Sequence, residues 1–148
     1  MEAIAAVSNV ASIISLAVNA VNGTIRLRGF FKDYASASKS VARFLCELNS
    51  LIQTLEDVTD IVLKLDNMSS FEEKAILLSL EGQLRDCEKD VYGWVRIGSE
   101  YRPRSVSGSK AMFKKFLVAV NKERITDIFR DIASHKANIS LKLSMLGR

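Results

Sequence analysis

Pro103 is the only proline in 148 residues, where average usage would supply about seven. Proline removes a backbone donor and clashes with the preceding turn, so it ends or kinks a helix wherever it falls inside one. A chain nearly free of it, with only 7 glycines, can run in long helices joined by few turns. Its length suits one domain over 1–148, large enough to bury roughly 68–70% of the unfolded surface without metal or disulfide staples. With 48% hydrophobic and 26% charged residues, it is neither a disordered chain nor a polytopic membrane protein.

Apolar periodicity divides the chain into four helices over about 3–32, 38–66, 70–97 and 110–146, with a loop over 98–109. In the first, Ile4, Val7, Ala11, Ile14, Val18, Val21 and Ile25 form a seam of period 3.5. A second apolar row is Ala3, Ala6, Val10, Ile13, Ala17 and Ala20. The one polar strip holds Ser8, Ser12, Ser15, Asn19 and Asn22, and no charge lies between Glu2 and Arg26. A kink near Gly23 would split this helix and raise the number to five. The second helix carries Val41, Leu45, Leu48, Ile52, Leu55, Val58, Val62 and Leu65 as one stripe. Ser70 and Glu73 form a capping box that starts the third, whose inward positions are Ile76, Leu80, Leu84, Cys87, Val91 and Trp94. The last helix would be the longest, about 55 Å. No segment shows the period-two alternation of a strand. The expected fold is an all-α, four-helix antiparallel bundle with a long C-terminal helix.

Catalytic patterns are missing. Gly108-Ser109-Lys110 has no upstream glycine and follows no strand, so it is not a phosphate loop. His135 is the only histidine and has no identifiable nucleophile or second ligand beside it. Cys46 and Cys87 are too few for a disulfide framework or a four-ligand zinc site, and read as core hydrophobes in a reducing compartment. Glu72/Glu73 and Asp57/Asp60 read as solvated carboxylates. The expectation is no enzyme, no cofactor and no metal. Glu2 stands where a secretory leader would carry a basic residue, so the default location is cytoplasmic.

Charge is divided unevenly. Residues 1–95 hold 9 Lys/Arg and 13 Asp/Glu, a net of −4, and residues 96–148 hold 12 and 4, a net of +8. Arg96, Arg102, Arg104, Lys110, Lys114 and Lys115 concentrate the excess around the loop and the start of the last helix. Cations at a helix N-terminus oppose its macrodipole, so helix stability does not explain them. They suit anionic lipid or an acidic partner, or are a solvated surface; nucleic acid is not expected, because the stacking aromatics there are limited to Tyr101 and Phe113. The 23 uncharged residues from Ala3 to Ile25 make about 34 Å of helix, enough to cross a hydrocarbon core. Its candidates for insertion are Ile4, Val7, Val10, Ile13, Ile14, Val18 and Val21. A central bundle helix would have the same residues.

The opening Met1-Glu2-Ala3-Ile4-Ala5-Ala6-Val7-Ser8-Asn9-Val10, together with Lys122-Glu123-Arg124-Ile125 and His135-Lys136-Ala137-Asn138-Ile139-Ser140-Leu141-Lys142-Leu143, resembles the fungal N-terminal domains of NLR-like (STAND) proteins, which precede NACHT or ankyrin modules. The wider group includes HeLo and HeLo-like bundles. That resemblance implies an effector of cell death or incompatibility: a C-terminal sensor module of the parent protein drives self-association, and the first helix then attacks an anionic plasma membrane. The alternative it leaves open is a non-lytic homotypic or adaptor-binding bundle. It makes His135 and Lys136 signature positions, and Ala3 to Val21 the membrane-active segment. A chain that stops at Leu146-Gly147-Arg148, directly after the last helix, is expected to be one domain of a longer protein.

Overall fold

A computed structural model describes residues 2–32, 39–65, 71–100 and 121–146. The described residues form four helices and no strand: α1 (Glu2–Phe31), α2 (Lys39–Leu63), α3 (Phe71–Glu100) and α4 (Asn121–Leu146). Residues 98–100, expected in the loop, continue α3. Residues 101–109 of that loop, Ser70 of the capping box and positions 110–120 of the last helix lie outside the described residues. Glu72 and Glu73 in the first turn of α3, and Arg28 in the last turn of α1, have the signs that complement the helix dipole.

Particular contacts fix the direction of each helix. Arg28 Nη1 donates to Asn49 Oδ1 at 2.8 Å, and Phe31 meets Phe44 edge to face at 5.7 Å, so α2 returns antiparallel to α1. Ser12 Oγ donates to Glu81 Oε1 at 3.0 Å and Tyr92 OH to the Asn19 carbonyl at 3.2 Å, so α3 runs parallel to α1. Phe44 also meets Phe129 at 5.7 Å, and Lys136 reaches Glu47, so α4 runs parallel to α2. The chain alternates up and down, as an antiparallel bundle must. Side by side, however, the neighbours α1/α3 and α2/α4 are parallel pairs. α1 packs on α2 and α3, and α4 packs on the same two, which sets α1 and α4 at opposite corners.

The core joins Leu48, Leu51, Leu55 and Val58 of α2 to Leu80, Leu84 and Val91 of α3, closed by Ile132 and Ile139 of α4. From α1 it takes Ile13, Ala17, Ala20, Leu27 and Phe31. Of the two apolar rows, the second faces the core, while Ala11, Val18 and Ile25 of the 3.5-period seam are exposed. Small residues decide it. Ala17, Ala20 and Gly23 let the α1 backbone approach its neighbours, which a row of Val and Ile would prevent. Nor does Gly23 break the helix: α1 runs through it, and a Cβ built there would lie 2.8 Å from Val91 Cγ1. The glycine marks close approach of α1 to α3, so α1 is one helix and not two, and the described residues hold four helices. Buried Thr24 satisfies its hydroxyl by donating to the Ala20 carbonyl at 2.7 Å. Cys46 is a correction. It is exposed, on the side of α2 turned away from Leu48 and Leu55, and only Cys87 is a core thiol.

Candidate functional site

The seven positions expected to enter a membrane separate in the folded bundle. Ile13 is fully buried, Val10, Ile14 and Val21 are half-buried against the core, and Val18 is 44% exposed. Ile4 and Val7 belong to α1, but their side chains lie outside the described residues. Within α1, Val10–Phe31 is long and apolar enough to cross a bilayer by length and composition, a test that the core helix of a soluble protein also passes. Polar ties from the described residues of α1 to the other helices include Ser12 to Glu81, the Asn19 carbonyl to Tyr92, and Arg28 to Asn49. None of these three is an ion pair. The basic candidates Arg102, Arg104, Lys110, Lys114 and Lys115 all lie outside the described residues.

A different polar constellation sits where α4 crosses α3 and α2. Sequence periodicity places His135 between Ile132 and Ile139, in the apolar stripe of α4, and the structure buries it there. Gln83 Nε2 lies 2.8 Å from His135 Nδ1, and His135 Nε2 lies 2.8 Å from Asp90 Oδ2. With the Gln83 amide in this orientation its NH2 donates to Nδ1, and Nε2–H donates to Asp90. The adjacent Lys136 points the other way, donating to Glu47 Oε2 at 2.8 Å and Ser50 Oγ at 3.2 Å. Two consecutive residues thus attach α4 to α3 and to α2. The signal for this joint was a histidine in phase with isoleucines. Its partners, 45 and 52 positions away, leave no local trace.

On α3, Cys87 sits between Gln83 and Asp90 in sequence and is fully buried. Burial first, then the charges of Asp90 and Glu88, push its thiol up to about 12. A protonated thiol buried away from solvent is not an activated nucleophile. The chemistry of this cluster is attachment. Among the described residues no group of three or more His, Cys, Asp or Glu is placed to hold a metal ion. Among the described residues, the buried carboxylate oxygen Glu88 Oε2 finds no hydrogen-bond partner.

The family model described as pigment biosynthesis cluster protein PigL N-terminal matches residues 4–147. No curated protein and no solved structure matches the chain.

Proposed function

The chain belongs to the family of N-terminal domains of pigment biosynthesis cluster protein PigL, and from that premise we propose that it is a non-enzymatic effector or signalling bundle of a fungal NLR-like receptor. It acts when a C-terminal sensor module of the parent protein gathers copies together. Clustered bundles release α1 into an anionic membrane, moving a cytoplasmic protein to the cell periphery. The observation that carries this reading is the exposure pattern of α1: from Ala11 to Ile25 every exposed residue is uncharged, and every buried one is apolar, glycine or Thr24. A helix of this kind offers lipid the apolar side chains it gives to the core, whereas one charge at its middle would cost roughly 2.5–3.5 kcal/mol on insertion.

Magnitudes explain why release needs clustering. Ile13 and Leu27 are fully buried, and removing each from the core gives up about 1.5–3 kcal/mol. Lipid returns that burial to α1 itself but not to the faces of α2 and α3 it leaves bare. Neighbouring copies can cover those faces. The same burial favours the rival reading, a non-lytic adaptor-binding or homotypic bundle, in which α1 stays in place.

The test joins α1 to α3. Ser12→Cys and Glu81→Cys, in a Cys46→Ser background, are bridged by a short thiol–thiol linker, and the domain is clustered on an added trimeric coiled coil. Anionic vesicles are expected to leak with the unbridged protein and stay sealed with the bridged one. Vesicles that stay sealed with both overturn the membrane step. Equal leakage with both shows that α1 is not the agent.

A further inference from the structure

The chain leaves α1, enters α2, leaves α3 and enters α4 at one end of the bundle, because α1 runs parallel to α3 and α2 parallel to α4. The stretches of sequence around these two crossings, 26–43 and 96–124, hold 13 Lys/Arg and 3 Asp/Glu, a net of +10. The rest of the chain holds 8 and 14, a net of −6. Five described members of the excess surround the end, and all five are exposed. Arg26 follows Gly23 by three residues and Asn19 by seven, on the edge of α1 that meets α3, and Arg96 follows Tyr92 by four on the facing edge. Lys32 follows Arg28 by four, on the edge that meets α2 at Asn49. Arg43 stands over the Phe129 ring of α4 at 5.5 Å, and Lys39 precedes it by four. Among the described residues, Arg26, Lys32, Lys39 and Arg96 are in no ion pair, whereas the nearby carboxylates of Glu47 and Asp127 are paired with Lys136 and Arg130. Asp131 lies a turn farther down α4.

We infer that this end of the bundle is its docking surface, and that its partner is the plane of an anionic lipid bilayer. The distribution of the cations decides between partners of like charge. Helices spaced about 8–10 Å apart give an end about 20 Å across, with cations on three of its four edges. A plane meets all three at once, whereas a nucleic-acid strand or an acidic peptide follows one line. Phe31 and Phe44, the rings at this end, are buried in the core and not offered to bases. Nor does helix stability account for Lys39, at the N-terminus of α2, where a cation opposes the macrodipole. The bilayer-length apolar stretch of α1, Val10–Phe31, also ends here. The inference rests on the membrane reading proposed above for its partner and adds an orientation. Glu2 lies at the far end of a 30-residue helix, about 45 Å away. Docking therefore leaves the amino-terminal turns of α1 clear of the bilayer, and their entry is a later, separable step.

The test compares two triple reversals of equal charge. Lys32→Glu, Lys39→Glu and Arg96→Glu alter the docking end. Lys64→Glu, Lys74→Glu and Lys142→Glu alter the other end, where these lysines stand with Asp60, Glu72 and Glu73. Circular dichroism and urea unfolding verify the fold of each variant. Binding of the unclustered chain is measured by co-sedimentation with phosphatidylserine/phosphatidylcholine vesicles and with phosphatidylcholine alone. Three contacts of about fivefold each should cost the first variant about 100-fold in affinity for the anionic vesicles. The second should lose less than about fivefold, because its changes lie several Debye lengths from the surface. Equal losses in both overturn the orientation, and unchanged binding in the first overturns the docking surface. A wild-type chain that ignores anionic vesicles, or that binds duplex DNA more tightly and loses it on the first reversal, overturns the partner. Leakage is not read, so vesicles that stay sealed in the bridging experiment overturn insertion alone and leave this result standing.

Discussion

His135 and Asp90 meet at 2.8 Å, with the imidazole 8% exposed and the carboxylate 41% exposed. The two ends of this bond differ in what they stand to lose. Asp90 can be rewetted where it stands, whereas the His135 ring has no such exit from among Ile132, Ile139 and α3. Most of the value of the joint therefore resides in the imidazole, which fills core space and carries both bonds to α3.

Replacing His135 by alanine should lower stability by about 2–3 kcal/mol, from a cavity and two lost hydrogen bonds. Asp90→Ala should cost less, about 1–2 kcal/mol, because it leaves one buried N–H without an acceptor. Urea unfolding by circular dichroism measures both. Asp90→Ala costing more than His135→Ala would reverse the assignment of which partner is buried.

Lys136 and Glu47 form the matching joint to α2, but both are part-exposed, at 23% and 31%. Screening by water limits such a pair to about 0.5–1 kcal/mol. A double-mutant cycle with Lys136→Met and Glu47→Gln should return that coupling at low salt and less at 1 M, where the Debye length falls to about 3 Å. A coupling of zero would mean that the contact to Ser50, not the charge pair, carries the joint.

Gly23→Ala is the sharpest test of how α1 meets α3. In an open helix the change gains about 1 kcal/mol from propensity. Here the new methyl lies 2.8 Å from Val91 Cγ1, and valine in a helix is held in one rotamer. The net effect should be destabilising by about 1 kcal/mol or more. Shortening the neighbour restores room, so Gly23→Ala should cost less in a Val91→Ala background than in the wild type. Equal costs in both backgrounds would show that the close approach is elsewhere.

Where charges mark the other faces, the buried stripe was legible in the sequence. Leu48, Ile52, Leu55, Val58 and Val62 were read from α2 and are all buried. On α1, by contrast, two apolar rows compete with no charge to exclude either. The choice depends on the helices across the interface, which reward Ala17, Ala20 and Gly23 for their small size. Cys46 was misplaced for a simpler reason: it is two positions before Leu48, half a turn off the stripe. The parallel pairing of α1 with α3 is set by contacts such as Ser12 to Glu81, 69 residues apart, and no local pattern encodes it.

The two cysteines should separate cleanly by reactivity. Exposed Cys46 reacts with a thiol reagent in the native protein, and Cys87 only after unfolding, so one equivalent is expected in buffer and two in denaturant. The shift of Cys87 also has a definite sign. Its folded pKa is raised from 9.0 to about 12, so the stability it contributes is fully present below pH 9 and declines as pH rises from 9 toward 12, where the unfolded chain gains by ionising. Cys87→Ala should therefore flatten the loss of stability across that window. A loss just as steep in the variant would assign the alkaline sensitivity to other groups.

Under the membrane reading, Lys114 and Lys115 are the residues whose removal should matter before α1 moves at all. Near an anionic surface each cation contributes about 1 kcal/mol, and reversal to glutamate replaces attraction with repulsion. Lys114→Glu with Lys115→Glu should therefore weaken vesicle binding by at least about 30-fold, the factor equivalent to 2 kcal/mol. The loss should be confined to vesicles containing anionic lipid and should shrink as salt rises. Co-sedimentation with anionic and zwitterionic vesicles at two ionic strengths measures it. Unchanged binding would remove the electrostatic approach from the mechanism while leaving the apolar step to be judged by the bridged α1. A loss that is equal on both kinds of vesicle would instead point to a damaged fold, which unfolding of the double variant would reveal directly.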